Sequence, residues 1–331
     1  MTLTGDFVPR REAIKESNNV DSSRMGPFRL APWFSERPWG RRDLRPWYVD
    51  TGTTEPVGEA WLTGPASVVE TGAMAGQTLA AVASQASEAL LGAGGGAEFP
   101  LLVKLLFPND KLSVQVHPDD AQAQAMGQPR GKTECWYVLE AEAGATIALG
   151  LREGATAESV RAAVADGTME ELMQWVPVSV GDMIFVDAGT VHAIGPGVVL
   201  LETQQTSNTT FRLYDYGRPR ELHVEQALQV MKMQTAAGKV KPVAMDGFTR
   251  LIEQKYFVVD RYDVAAGSEV VVPTAGRPGC LVGLSGMAAV IGGDEGEVEM
   301  FPGRAVVLPA GCNGVIMETG VGVSFVRCWA P

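Results

Sequence analysis

The sequence predicts a mainly β protein made of two related barrels with a small helical insert. Short β-prone runs dominate the 331 residues, and Gly, Pro or Asp separates them. Helical periodicity is confined to a few segments, so the strand–helix alternation of a parallel sheet is missing. A pattern also recurs. Gly181-x5-Asp187-x-Gly189-x2-His192 matches Gly303-x5-Pro309-x-Gly311-x2-Gly314 about 120 residues later, which means a duplicated domain rather than a solenoid.

The strand runs are Leu101–Leu106, Leu112–His117, Trp136–Leu139, Thr146–Leu149, Met183–Val186, Val198–Thr203 and Thr210–Tyr214 in the first half. Tyr256–Val264, Glu269–Val272, Ala305–Leu308 and Val323–Trp329 follow in the second. Helices are expected over Thr78–Leu91, Ala157–Val164, Thr168–Trp175 and Glu221–Met233. Thr168 and Glu171 read as a capping box, and the last segment is amphipathic. The small and basic residues of Ala236–Lys241 read as a linker, which places a boundary near residue 240. The expected organisation is a flexible segment over 1–26, a catalytic barrel over 27–240 with an insert at about 155–176, and a degenerate barrel over 241–331. His192 ends the first copy of the repeat and Gly314 the second, and no histidine follows His223. Only the first barrel can therefore ligate a metal through imidazole.

Composition narrows the function. Apolar residues make up 46% and charged residues 20%, an ordinary globular balance. No apolar run is long enough for a signal peptide or a membrane span, so a cytoplasmic, soluble protein is expected. The formal net charge of −12 repels nucleic acid and anionic membranes. It also repels a sugar phosphate, so such a substrate needs a local cationic pocket. Cys135, Cys280, Cys312 and Cys328 form no CxxC pair and read as packed, reduced thiols. Gly94-Gly95-Gly96 lacks the Gly-Lys-Ser/Thr of a phosphate loop and reads as a turn.

Strand periodicity picks out the chemistry. In Leu112–His117, Ser113, Gln115 and His117 share one face while Val114 and Val116 take the other. In Lys132–Tyr137, Lys132, Glu134 and Trp136 share a face. A turn then presents His192. Two histidines, a glutamate and an amide oxygen make a zinc set of catalytic character, because one carboxylate leaves the ion a net positive charge. Lys104, Lys132, Arg212, Arg218 and Arg220 lie near the same elements. Arg212 stands out within the apolar run Thr-Thr-Phe-Arg-Leu-Tyr, where an inward charge needs a partner. His223 reads as a packing or capping residue, and Trp33, Trp39 and Trp47 as core aromatics. Glu59, in Gly58-Glu59-Ala60-Trp61, is left open as a residue near the site.

At these residues the chain resembles the type I mannose-6-phosphate isomerases, in their short bacterial form. The matching segments are Phe99–Lys104, Leu112–Asp119, Gly131–Tyr137, Gly181–Ile194 and Gln204–Arg218. The Gln-x-His-Pro-Asp segment followed by Lys-x-Glu is the specific part. The resemblance implies cupin jelly-roll barrels in a bicupin-like arrangement. It implies one Zn2+ per chain, held by Gln115, His117, Glu134 and His192, with Arg212 catalytic. Lys104, Ser113, Lys132 and Asn208 fall at the sugar-phosphate pocket. Two departures stand out: Asn208 replaces a frequent Asp, and Asp187 replaces the usual turn proline.

The resemblance implies interconversion of mannose 6-phosphate and fructose 6-phosphate through a cis-enediol, as an isomerase of carbohydrate metabolism. Arg212 would stabilise the enediolate. The proton acceptor stays open between a metal-bound water, Glu134, Lys132 and the neighbours of Asn208, which itself cannot act as a base. Asn208 keeps a second reading alive, a catalytically silent sugar-phosphate-binding protein. A third is an iron dioxygenase on the same barrel, which Lys132 and Arg212 suit less well. The expected partners are a small sugar phosphate and at most a second copy of the chain.

Overall fold

Strands buried on both faces organise the molecule. The computed structural model describes residues 25–293 and 296–331. The expected flexible N-terminal segment over 1–26 therefore lies, but for its last two residues, outside the described residues. Leu101–Leu106 is buried at every position. Leu101, Val103 and Leu105 pack into one apolar core, whereas Leu106 packs into another. Val198–Gln205 and Glu134–Ala141 divide in the same way: Val199, Leu201, Cys135 and Tyr137 to the first core, Val198, Leu200, Trp136 and Val138 to the second. An alternation of period two thus feeds two cores from one strand.

The first core lies between two seven-stranded antiparallel sheets. One runs in the order Gly238–Val240, Met183–Val186, Glu134–Ala141, Val198–Gln205, Leu101–Leu106, Val57–Trp61, Trp33–Arg41. It closes against a five-stranded sheet of Phe211–Tyr214, Val114–Val116, His192–Ile194, Thr146–Leu151 and Met173–Pro177. The second core fills the space within this sandwich. The other seven-stranded sheet is built around Gly279–Gly286 and Val323–Trp329 and faces a four-stranded sheet across a third core. Phe28–Leu30 crosses over to pair with Ala305–Leu308 at the edge of that sheet. The duplicated pattern occupies matching places: Met183–Val186 then His192–Ile194 in one sandwich, Ala305–Leu308 then Gly314–Thr319 in the other. The fold is the mainly β, cupin-like architecture expected.

Several local expectations need correction. Thr78–Leu91 is two helices, Leu79–Gln85 and Ser87–Leu91. Thr168 makes no capping bond, and the expected helix is one 3₁₀ turn, Met169–Leu172, followed by the strand Met173–Pro177. The capping box of the insert lies at Thr156 and Ser159 instead, opening the helix Ala157–Asp166. The supposed linker contains the strand Gly238–Val240, paired with Met183–Val186. Glu221–Met233 shortens to the helix Val224–Val230. Trp33–Arg41 and Val57–Trp61, unexpected as strands, complete the large sheet. Trp39 is buried as expected, but Trp33 is half exposed.

Leu105 is fully buried in the core between the two large sheets. Leu105→Ala should cost about 2–5 kcal/mol, read as a lower denaturant midpoint. An unchanged midpoint would show that the packing of these two sheets does not depend on that layer.

Candidate active site

The polar half of the strand alternation meets inside the first sandwich. Glu202 stands opposite Lys104 in the ladder, and Gln204 opposite Glu134. On the facing sheet, His192 stands opposite Gln115, and Arg212 is the other neighbour of Gln115. Val114 and Val116 turn outward, under the helical insert, in an apolar cluster of their own. Ser113, Gln115 and His117 are thereby left on the inner face.

Ligand atoms of His117, Glu134 and His192 all lie within 4.8 Å of one another, and the three residues are buried. Each imidazole is oriented from behind. His117 Nδ1 meets the Thr209 carbonyl at 2.9 Å, and His192 Nδ1 meets the Thr190 carbonyl at 2.9 Å. A carbonyl only accepts, so Nδ1 carries the proton and Nε2 keeps its lone pair. Burial, aided by the Lys132 charge, pushes His192 down to about 4 and His117 well below its usual range, so both rings are neutral. The turn before His192 is pinned by Asp187, whose carboxylate accepts from Thr190 Oγ1 at 2.8 Å and Ala236 N at 3.1 Å. Gly189 in that turn has φ 91° and lies against Lys232, so a side chain fits poorly there.

Glu134 is the unusual member. Its Oε2 accepts from Lys132 Nζ at 2.5 Å, while its buried Oε1 has no hydrogen-bond partner. That oxygen lies 3.4 Å from His192 Nε2. The Gln115 amide comes within 3.2 Å of the same nitrogen. Burial pushes the Glu134 carboxyl up to about 7 despite Lys132. An orphaned carboxylate oxygen, two imidazole lone pairs and an amide form a donor set that a divalent cation would satisfy. The three side chains form a cluster able to hold a metal ion.

A cavity of 540 Å³ opens beside the cluster, within the range of small-molecule sites. Lys104, Ser113, Lys132, Asn208 and Arg212 all line it, together with Gln115. Lys132 joins the two regions, since its Nζ also sits 3.1 Å from His117 Nε2. Glu202 is the main residue that sequence reasoning passed over. It lies 3.0 Å from Lys104 and 3.9 Å from Lys132. Burial alone would raise its pKa, but the two lysines hold it down to about 2. Lys132, despite burial, is raised by Glu134 and Glu202 and stays an ammonium. Glu59 lines the cavity too, held as a carboxylate by Lys104 and Arg37 against its burial. The signal for Glu202 was a lone carboxylate directly after the apolar stretch Val198–Leu201, on the strand paired with the one that carries Lys104.

Arg212 reaches the cavity from the edge of the five-stranded sheet. Its Nη1 donates to the Glu221 carbonyl at 2.8 Å, and its Nε is buried without a partner. Burial and the nearby Arg220 lower its pKa. His223 does not cap its helix; its Nδ1 accepts from the Arg212 backbone N–H at 3.3 Å. Arg218 and Arg220 are both tied to the buried Asp215, and Arg220 also reaches the cavity wall. The four cysteines are buried. No described helix is long and apolar enough to cross a membrane.

The fold and site together define a cupin-type enzyme with a cluster able to hold a metal ion beside a cavity rich in cationic side chains. Comparison with known proteins makes this specific. Residues 28–151 match the catalytic domain of the type I phosphomannose isomerases. The mannose-6-phosphate isomerase of Streptococcus mutans is 36% identical over 297 residues, covering 86% of this chain and 92% of that protein. ManA, a mannose-6-phosphate isomerase of Bacillus subtilis, is 36% identical over 262 residues, covering 74% of this chain and 81% of that one. The crystal structure of a Bacillus subtilis mannose 6-phosphate isomerase superposes with a TM-score of 0.81 at 28% identity, over 92% of this chain and 99% of that one. A phosphomannose isomerase structure from Salmonella typhimurium, 17% identical with a TM-score of 0.75, shares the fold. The chain belongs to the type I phosphomannose isomerase family, and it is an isomerase.

His192→Ala removes one imidazole without touching the other two members of the cluster. Metal retained after dialysis, measured by atomic emission, should fall to near zero. Full retention would place the metal site elsewhere.

Proposed function

We propose that the protein interconverts mannose 6-phosphate and fructose 6-phosphate in the 540 Å³ cavity, with zinc as its metal. One observation carries the reading: Lys132 touches both the His117–Glu134–His192 cluster and the cavity that Lys104, Ser113, Asn208 and Arg212 line. His117, Glu134 and His192, with the Gln115 amide, are the residues that would hold the ion. When bound, zinc supplies a Lewis acid that polarises sugar oxygens.

The reaction moves a proton between C2 and C1 through a cis-enediol. From aldose to ketose the C2–H bond breaks and a C1–H bond forms, while the C2 hydroxyl gives up its proton to become the ketone and the C1 oxygen takes one up to become a hydroxyl. The negative charge that develops on oxygen needs fixed donors. Lys104 and Lys132 serve as such donors, each paired with a buried glutamate, Glu202 and Glu134 respectively. Held as an ammonium, Lys132 is not the resting proton acceptor. Arg212 stabilises the enediolate, and Ser113 and Asn208 offer hydrogen bonds at the cavity wall. Buried and paired with carboxylates, the lysines act through directed hydrogen bonds more than through net charge.

Incubation of the zinc-loaded chain with mannose 6-phosphate, read by a fructose 6-phosphate-coupled assay, tests this directly. Turnover that a chelator abolishes and zinc restores is expected. No product from the loaded protein would leave a sugar-phosphate-binding role. Arg212→Ala should keep its zinc and lose roughly 10²–10³ in kcat, whereas an unchanged kcat would remove Arg212 from the chemistry.

A further inference from the structure

The second sandwich holds none of the metal cluster or the cavity lining described above, yet one of its side chains is hydrogen-bonded to a residue that holds the segment carrying Lys132 and Glu134. Asp120, three residues after His117, opens the helix Asp120–Ala125. Its Oδ1 accepts from the Gly131 backbone N–H at 3.0 Å and from Gln205 Nε2 at 3.0 Å. Its Oδ2 accepts from the Tyr256 hydroxyl at 2.5 Å. Gln205 in turn accepts, through Oε1, from the Thr133 backbone N–H at 2.9 Å. The backbone on both sides of Lys132 is thus hydrogen-bonded into one network. The Lys132 N–H itself donates to the Pro118 carbonyl at 3.0 Å. There is no slack in this region: a Cβ on Gly131 would lie 2.5 Å from the Pro118 oxygen. Tyr256 comes from the turn between Thr249–Glu253 and Val258–Val264, in the other sandwich.

We propose that Tyr256 is a positioning residue for the site across the inter-barrel boundary: through Asp120 and Gln205 it fixes residues 131–133 and so the placement of Lys132 and Glu134. The proposal rests on the isomerase reading given above. A hydroxyl donating to a carboxylate is a strong, directional bond. Preorganised chemistry tolerates little displacement of the groups that perform it. The barrel without histidine ligands thereby acquires a task beyond packing, the alignment of the barrel that has them.

Tyr256→Phe keeps the ring and removes one donor. In the zinc-loaded full chain, kcat should fall about tenfold, with KM, zinc content and melting temperature unchanged. Hydrogen exchange of the peptide spanning residues 130–134 should quicken, with or without metal. Asp120→Asn should retain kcat, since its carbonyl still accepts from Gly131 and Gln205 and its amide can donate to the Tyr256 oxygen. Asp120→Ala should lose kcat, and adding Tyr256→Phe to it should cost nothing further. A wild-type kcat with wild-type exchange in Tyr256→Phe, or losses that multiply in the double variant, would overturn the proposal. Should Tyr256→Phe fail to fold, the Asp120→Asn and Asp120→Ala pair makes the same comparison. An inactive wild-type chain would sink the isomerase reading alone; the exchange measurement would then decide the clamp by itself.

Discussion

The arrangement depends on one costly group, the buried carboxylate of Glu134. One oxygen is bonded to Lys132, and the other, 3.4 Å from His192 Nε2, has no hydrogen-bond partner. A buried charge left in that state is strongly unfavourable. Lys132 offsets part of the cost, but Glu202 and Glu59 draw on the same two lysines. Lys104, Lys132 and Arg37 are thus shared among three carboxylates, and none of them is hydrogen-bonded to the second oxygen of Glu134. A divalent cation at that orphaned oxygen would supply the missing partner. Burial and the Lys132 charge hold both histidines neutral, so neither ring supplies a proton to Glu134.

The strands make this possible. Each central strand of the large sheet feeds the inter-sheet core with one face and the site with the other. The apolar half anchors the strand, so the polar half need not contribute stability. The charged side chains are therefore placed by a rigid sheet rather than by mobile loops. Arg212 and Asn208, at the edge strand and the loop before it, are the exceptions, since they sit at the more open rim of the cavity.

What the sequence disclosed follows from this. Period-two alternation made Ser113, Gln115 and His117 legible as one face, and the same rule joined Lys132 to Glu134. The degenerate copy of the repeat was legible from Gly314 in place of His192. Glu202 escaped because Val198–Gln205 reads as a core strand, and only the ladder partner Lys104 reveals its role. Thr168-x-x-Glu171 matched a capping pattern, but the residues after it pair with Thr146–Leu151, and tertiary pairing overrode the local signal. Gly238–Val240 looked like a linker for the same reason: an edge strand of small and basic residues is defined by its neighbour, not by its composition. The contact of Tyr256 with Asp120 spans 136 positions and had no sequence signal at all.

Anomalous diffraction at the zinc edge from crystals of the purified chain tests the central claim most directly. The account predicts a single strong peak at roughly 2.0–2.2 Å from Nε2 of His117, Nε2 of His192 and the orphaned oxygen of Glu134. No peak at that point in zinc-saturated crystals, or a peak held by other residues, would contradict it.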